Sequence, residues 1–138
     1  MAKLKIPIII DKQSNVIFVT LTVVINNKVA DIPFKLDTGC NSVVLKHKTL
    51  QAFGIDTTSK AMRNKPSMPG RLADGTSSNF KQVGDIALYS NGNLLAKTGV
   101  ICHATQETNN LLGTSVLHRY LSYKIQVGGD FQYLELEK

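Results

Sequence analysis

Two strand-forming segments joined by an asparagine pair lie close to the N-terminus. Residues 16–25 (VIFVTLTVVI) are rich in β-branched side chains, with Thr20 and Thr22 on one side of the alternation. Asn26 and Asn27 follow, and asparagine tolerates the positive φ of a tight turn. Residues 28–36 (KVADIPFKL) then return as a second strand. The sequence therefore predicts a β-hairpin over residues 16–36 that leads directly into Asp37.

Length, composition and charge describe an ordinary globular protein. The 138 residues suit a single domain spanning residues 1–138, long enough to bury a core without disulfides. Hydrophobic residues make up 43% and charged residues 19%, which excludes a disordered chain. The net charge of +6 is dispersed, with one tight basic group at Lys46, His47 and Lys48 and no interleaved aromatic residues. We therefore expect a solvated basic surface and no nucleic-acid partner.

The two cysteines, Cys40 and Cys102, lack the spacing of a metal-binding motif. We interpret them as buried free thiols in a reducing compartment, and we expect neither a metal nor another cofactor. The start of the chain, MAKLKIPIII, has an apolar run too short for a signal peptide. No segment has the roughly 20 apolar residues of a membrane span. These features favour a cytoplasmic protein without a membrane segment, although a longer, membrane-anchored parent protein is compatible with the same sequence.

The remaining chain reads mostly as strands. Residues 46–54 (KHKTLQAFG) suit a short helix ending at Gly54, and residues 55–70 contain two prolines and little periodicity, which predicts a loop. Residues 80–90 and 93–104 flank Asn91-Gly92, a strong hairpin signal.

The C-terminal third continues the same pattern. Residues 111–121 form an apolar run that passes through Gly113 into a short helical turn, and residues 123–136 read as two strands around Gly128-Gly129. The chain is therefore predicted to be mostly β, with one or two short helices.

Asp37, Thr38 and Gly39 interrupt two apolar segments, and an unpaired buried carboxylate is costly. In a catalytic loop, the glycine allows a sharp turn, the threonine hydroxyl can bind a neighbouring group, and the carboxylate lies where its proton affinity can be tuned. Alternatively, the three residues form an Asx-type turn between strands. The tripeptide alone leaves both interpretations open.

Three stretches, taken in order, resemble the retropepsin-like aspartic proteases. They are FKLDTGCNSVVL (34–45), RLADGTSSNF (71–80) and NNLLGTSVL (109–117), and the resemblance extends over residues 16–136. Cys40 departs from the alanine or serine usual in the family, although a small thiol fits the same space. The resemblance implies a retropepsin-like acid-protease β-barrel with one half-site per chain.

The resemblance also implies roles for individual residues. Catalysis falls to Asp37, supported in its loop by Thr38 and Gly39, and a structural role next to the site falls to Leu111, Leu112 and Gly113. A substrate-binding flap is expected at Ala73, Asp74 and Gly75.

The chemistry of this family needs two carboxylates that share a proton and hold a water molecule between them. Of the seven aspartates, only Asp37 lies in the D-T-G motif. The sequence therefore predicts a homodimer that joins two Asp37 carboxylates and hydrolyses peptide bonds in a peptide or protein substrate. The terminal segments 3–10 and 131–138 are strand-like and could pair across the twofold axis. The alternative function is a non-proteolytic dimerisation or peptide-binding module on the same fold.

Overall fold

The computed structural model describes residues 3–71, 77–103 and 109–138. These ranges contain ten strands: β1 (Lys3–Asp11), β2 (Val16–Ile25), β3 (Lys28–Leu36), β4 (Val43–Val44), β5 (Ser67–Arg71), β6 (Ser77–Ser90), β7 (Asn93–His103), β8 (Leu111–Leu112), β9 (Ser122–Gln126) and β10 (Tyr133–Glu137). They also contain three short helices: α1 (His47–Ala52), α2 (Lys60–Arg63) and α3 (Thr114–Leu117). In the ranges described, no helix is long and apolar enough to cross a membrane.

Six strands close into a barrel. The strand order around it is β2, β3, β8, β4, β7 and β6, and pairing of β6 with β2 completes the ring. The β3–β8 and β4–β7 pairs are parallel, whereas the two long hairpins β2–β3 and β6–β7 are antiparallel. The mostly β fold predicted from the sequence is therefore confirmed, with three helices rather than one or two.

The predicted turns have the backbone conformation that their residues favour. Asn26 and Asn27 have φ values of 50° and 66°, and Asn91 and Gly92 have values of 48° and 78°. Two consecutive residues with positive φ match the right-handed twist of a two-residue hairpin. Gly54, with φ of 83°, follows α1 as predicted.

Along each strand, successive side chains point alternately to the core and to the opposite face of the sheet. On β2 the buried side chains include Val19, Leu21 and Val23, and on β3 the most deeply buried is Phe34. The core of the barrel is thus built by one face of the hairpin that the sequence predicts. Asp37 follows β3 directly, and the alternation puts its side chain on the face opposite to Phe34.

The prediction of a loop over residues 55–70 is wrong in two places. Met62 is buried and anchors α2, and residues 67–71 form β5, which pairs with residues 77–81 of β6. Pro69 and Gly70 are poor strand formers, but β5 is the outermost strand of the sheet, where proline is tolerated. Pairing with β6 decides this conformation, and local sequence does not reveal it.

The terminal segments pair with each other inside one chain. Residues 3–7 of β1 are antiparallel to β10, and β9 pairs with the other side of β10. Each terminal segment therefore pairs within its own chain, on an edge that the sequence alone leaves available for pairing across a twofold axis.

Candidate active site

Asp37 is the first residue after β3, at the end where β3 runs parallel to β8. The Asp37 N–H donates to the Leu112 carbonyl oxygen at 3.1 Å, which extends the β3–β8 pairing by one residue. The strand pairing therefore fixes the backbone of Asp37. Its side chain is half-buried, whereas Thr38 and Gly39 are exposed at the tip of the loop.

The loop closes with a tight turn at Asp37. Gly39 N–H donates to Asp37 Oδ1 at 3.0 Å, and Cys40 N–H donates to the Asp37 carbonyl oxygen at 3.2 Å. The first bond is an Asx turn and the second a β-turn. The Asx turn orients one carboxylate oxygen and leaves the second oxygen for other partners.

A second segment of the chain holds the far side of this loop. Thr114 N–H donates to the Cys40 carbonyl oxygen and Ser115 N–H to the Asn41 carbonyl oxygen, both at 2.8 Å. The Thr114 hydroxyl lies 3.4 Å from Asn41 Oδ1 and also 3.4 Å from the Cys40 carbonyl oxygen. These donors come from the first turn of α3, whose N–H groups have no partners within the helix. We call residues 113–115 the clamp.

Gly113 allows the clamp to approach the loop closely. A Cβ atom at this position would lie 2.5 Å from the carbonyl oxygens of both Cys40 and Ser42 and 2.8 Å from Ser42 N. The Gly113 backbone is extended, with φ of −96°, so its conformation does not require glycine. The requirement for glycine here is steric, because only hydrogen fits against this backbone.

The Asx turn alone does not distinguish Asp37 from other aspartates. Asp11 accepts a hydrogen bond from Gln13 N–H at 3.0 Å and Asp56 accepts one from Thr58 N–H at 2.9 Å, in the same geometry. Both are exposed turns. Asp37 differs because its loop is held by the clamp, so the interpretations as an Asx turn and as a catalytic loop are compatible.

Asn110 is a buried polar residue near the site that sequence reasoning missed. Its carbonyl oxygen accepts from Lys35 N–H at 2.8 Å, its Oδ1 accepts from Lys46 N–H at 2.9 Å, and its Nδ2 donates to Thr49 Oγ1 at 3.1 Å. It therefore links β3 to the start of α1. No local signal marks it, because its partners are distant along the chain.

Cys40 is half-buried beside Asp37, whereas Cys102 is buried, and the two cysteines form no disulfide. The prediction of a buried thiol is therefore confirmed for Cys102, whereas Cys40 is only partly buried. Cys40 Sγ–H donates to the Ser42 carbonyl oxygen at 3.4 Å. Burial raises the pKa of the Cys40 thiol above its ordinary value, and the negative charge of Asp37 adds to this shift.

We expect Cys40 to react slowly with iodoacetamide despite its partial exposure. A raised pKa leaves less thiolate at a given pH, and the thiolate is the reactive form. In a Cys102→Ala variant at pH 8, alkylation measured by mass spectrometry should be slower for the native protein than for the chain unfolded in guanidinium. Equal rates in the two states would contradict this description of Cys40.

The predicted flap residues Ala73, Asp74 and Gly75 lie outside the described residues. The paired strands β5 and β6 flank them, with pairing from Ser67 opposite Lys81 to Arg71 opposite Ser77. No group of three or more His, Cys, Asp or Glu side chains that could hold a metal ion occurs in residues 3–71, 77–103 and 109–138.

Comparison with solved structures identifies the fold. A retropepsin-like aspartic protease from Rickettsia conorii is similar to this chain, with a TM-score of 0.57 and 17% sequence identity. The match covers 98% of this chain and 91% of that chain. No family model matches the sequence, and no curated protein matches it significantly. The chain therefore has the fold of the retropepsin-like aspartic proteases.

Proposed function

We propose that this protein is an aspartic endopeptidase whose active site forms between two copies of the chain. The observation that carries this proposal is the Asp37 loop, which presents one carboxylate from a rigidly held turn with an exposed tip. A preorganised carboxylate is what water activation requires. An exposed tip allows a second copy to approach with its own Asp37.

In the proposed reaction, two Asp37 carboxylates share one proton and hold a water molecule. One carboxylate accepts a proton from the water as the water oxygen attacks the peptide carbonyl carbon, and the other carboxyl group donates its proton to the carbonyl oxygen, which gives a tetrahedral gem-diol. The gem-diol then collapses: a hydroxyl returns a proton to the second carboxylate, the carbon–nitrogen bond breaks, and the departing nitrogen takes the proton that the first carboxylate received from the water. The clamp holds each loop in place, and the exposed Thr38 at the loop tip is available to a second copy.

Three other aspartates in the described ranges are poor candidates for the second carboxylate within one chain. Asp31 accepts a hydrogen bond from the Thr22 hydroxyl at 2.7 Å, and Asp11 and Asp56 lie in exposed turns of their own. The sequence contains no second D-T-G motif. A second copy supplies the missing group with the geometry already present in the first.

We assign substrate contact to the segment between β5 and β6. The strands are paired up to residues 71 and 77, and Ala73, Asp74 and Gly75 lie between these residues in the sequence. Small residues at this point allow an extended peptide to approach the backbone. The peptide would then bind as an added strand, a mode that depends little on sequence.

The test of this function is whether peptide hydrolysis and dimerisation occur over the same concentration range. Activity per chain should fall on dilution along the dissociation curve measured by analytical ultracentrifugation, because a separated chain holds one carboxylate. A chain that is monomeric yet fully active would contradict the shared site. A stable dimer that hydrolyses no peptide library would favour the non-proteolytic module instead.

We expect hydrolysis to be fastest at acidic pH and to decline towards alkaline pH. The reaction needs one protonated and one ionised carboxylate, and the protonated partner is lost as pH rises. The measurement is kcat/KM against pH for one fluorogenic peptide, with the dimer fraction checked at each pH. A rate that still increases above neutrality would indicate a different catalytic group.

A further inference from the structure

Lys35 lies on the same face of β3 as Asp37. Phe34 is fully buried and Leu36 packs against the core, so these two side chains share the inner face of β3. Because side chains alternate along a strand, those of Lys35 and Asp37 lie on the opposite face. Both are half-buried. Residues two apart in a strand have Cα atoms about 6.5 Å apart. A long lysine side chain at this distance can reach the space in front of the carboxylate.

The strands beside β3 surround Lys35 with apolar side chains. Lys35 is directly opposite Phe18 on β2 and opposite Leu111 on β8, and both of these are half-buried. Phe18 in turn pairs with Ile9 of β1, whose side chain is 68% exposed. Directly opposed side chains on one face lie close enough to touch. The row Ile9–Phe18–Lys35–Leu111 is thus an apolar surface with one ammonium group in it.

The ammonium of Lys35 has no hydrogen-bond acceptor or ion-pair partner within residues 3–71, 77–103 and 109–138, although its backbone N–H is bound to Asn110. By contrast, the ammonium of Lys65 donates to Val83 O, that of Lys81 donates to Met62 O and Arg63 O, and that of Lys5 lies over the Tyr133 ring. Beside these apolar side chains, an anion that pairs with the ammonium would gain a charge-assisted hydrogen bond. The site therefore favours an anionic ligand.

We propose that Lys35 selects substrates that carry an acidic side chain close to the scissile bond. This inference rests on the proposed function, because it takes the face of β3 that carries Lys35 and Asp37 as the face that meets the substrate. The apolar row binds the aliphatic part of a glutamate, and the ammonium binds its carboxylate with a charge-assisted hydrogen bond. An extended peptide advances about 3.3 Å per residue, so the acidic residue lies within three positions of the cleaved bond.

The experiment compares decapeptides that differ only in glutamate or glutamine at one position. The parent sequence for these decapeptides comes from a random decapeptide library analysed by mass spectrometry. The library shows which sequences the wild type cleaves and which sequences an Asp37→Asn variant binds without cleaving. We expect a preference for glutamate of about tenfold or more in both kcat/KM and binding. Lys35→Met should remove the preference while the glutamine peptide is still cleaved, and Lys35→Glu should favour lysine in place of glutamate.

Lys97→Met is the matched control, because Lys97 is an exposed lysine on β7 whose side chain lies outside this row. It should keep the preference for glutamate. A wild type that cleaves both peptides equally, or a Lys35→Met variant that keeps the preference, overturns the inference. Binding without cleavage separates the two proposals. If the wild type hydrolyses no peptide, and peptides that contain glutamate still bind through Lys35, then the protease function fails and the acidic preference stands.

Discussion

The Asp37→Asn substitution is expected to reduce peptide hydrolysis by about 10³-fold or more without unfolding the protein. Asparagine cannot accept the proton of the attacking water, so the general base is lost from both halves of the site. Its side-chain oxygen can still accept the hydrogen bond from Gly39 N–H, so the turn is retained. The measurements are kcat/KM on a cleaved peptide and the thermal midpoint of unfolding.

Asp56→Asn is the matched control for this substitution. Asp56 is exposed and makes the same Asx turn with Thr58, but its turn lacks the clamp. Its replacement should leave hydrolysis unchanged. If Asp37→Asn cleaves peptides as fast as the parent protein, Asp37 is not the catalytic residue.

The Asp37→Asn variant also tests whether the site is shared between chains. When Asp37→Asn chains are added in tenfold excess and the subunits exchange, random pairing leaves about one wild-type chain in eleven in a wild-type dimer. Activity per wild-type chain should fall accordingly, whereas an excess of Asp56→Asn chains should not lower it. Unchanged activity with proven subunit exchange would show that one Asp37 is sufficient.

The sequence predicted those parts of the fold that depend on neighbouring residues. The hairpin over residues 16–36 and the turn at Asn91-Gly92 follow from alternation and from side chains that tolerate positive φ. The strand β5 was missed because Pro69 and Gly70 are extended only through pairing with β6. Its conformation is a tertiary property.

In the candidate site too, features that depend on neighbouring residues could be predicted from the sequence, whereas features that depend on tertiary contacts could not. Asp37 could be found because three consecutive residues and two apolar flanks mark it. The clamp donors Thr114 and Ser115 are more than 70 positions away along the chain, and sequence spacing does not show which backbone groups they meet. The alternation that places Lys35 beside Asp37 is visible in the sequence, but the lack of an internal partner in the described ranges required the structure.

The Gly113→Ala substitution is expected to displace the Asp37 loop. The added methyl group would lie 2.5 Å from two carbonyl oxygens of residues 40 and 42, and backbone atoms cannot move aside as a flexible side chain can. Overpacking of this kind costs about 1–3 kcal/mol in the free energy of unfolding. A displacement of about 1 Å in a catalytic group can reduce turnover by about 100-fold, so activity should suffer more than folding.

Gly128→Ala provides the control for this prediction. No atom of the described chain lies within 4 Å of a Cβ at Gly128, and its φ is outside the left-handed region, so alanine should be accommodated with activity and stability near those of the parent protein. Hydrolysis should be measured well below the thermal midpoint of Gly113→Ala, so that a loss of activity reports the loop and not unfolded protein. The hydrogen bonds from the clamp to the loop come from residues 114 and 115, so Gly113→Ala removes none of these donors. A Gly113→Ala protein with full activity would show that the close approach allowed by Gly113 is not needed to position Asp37.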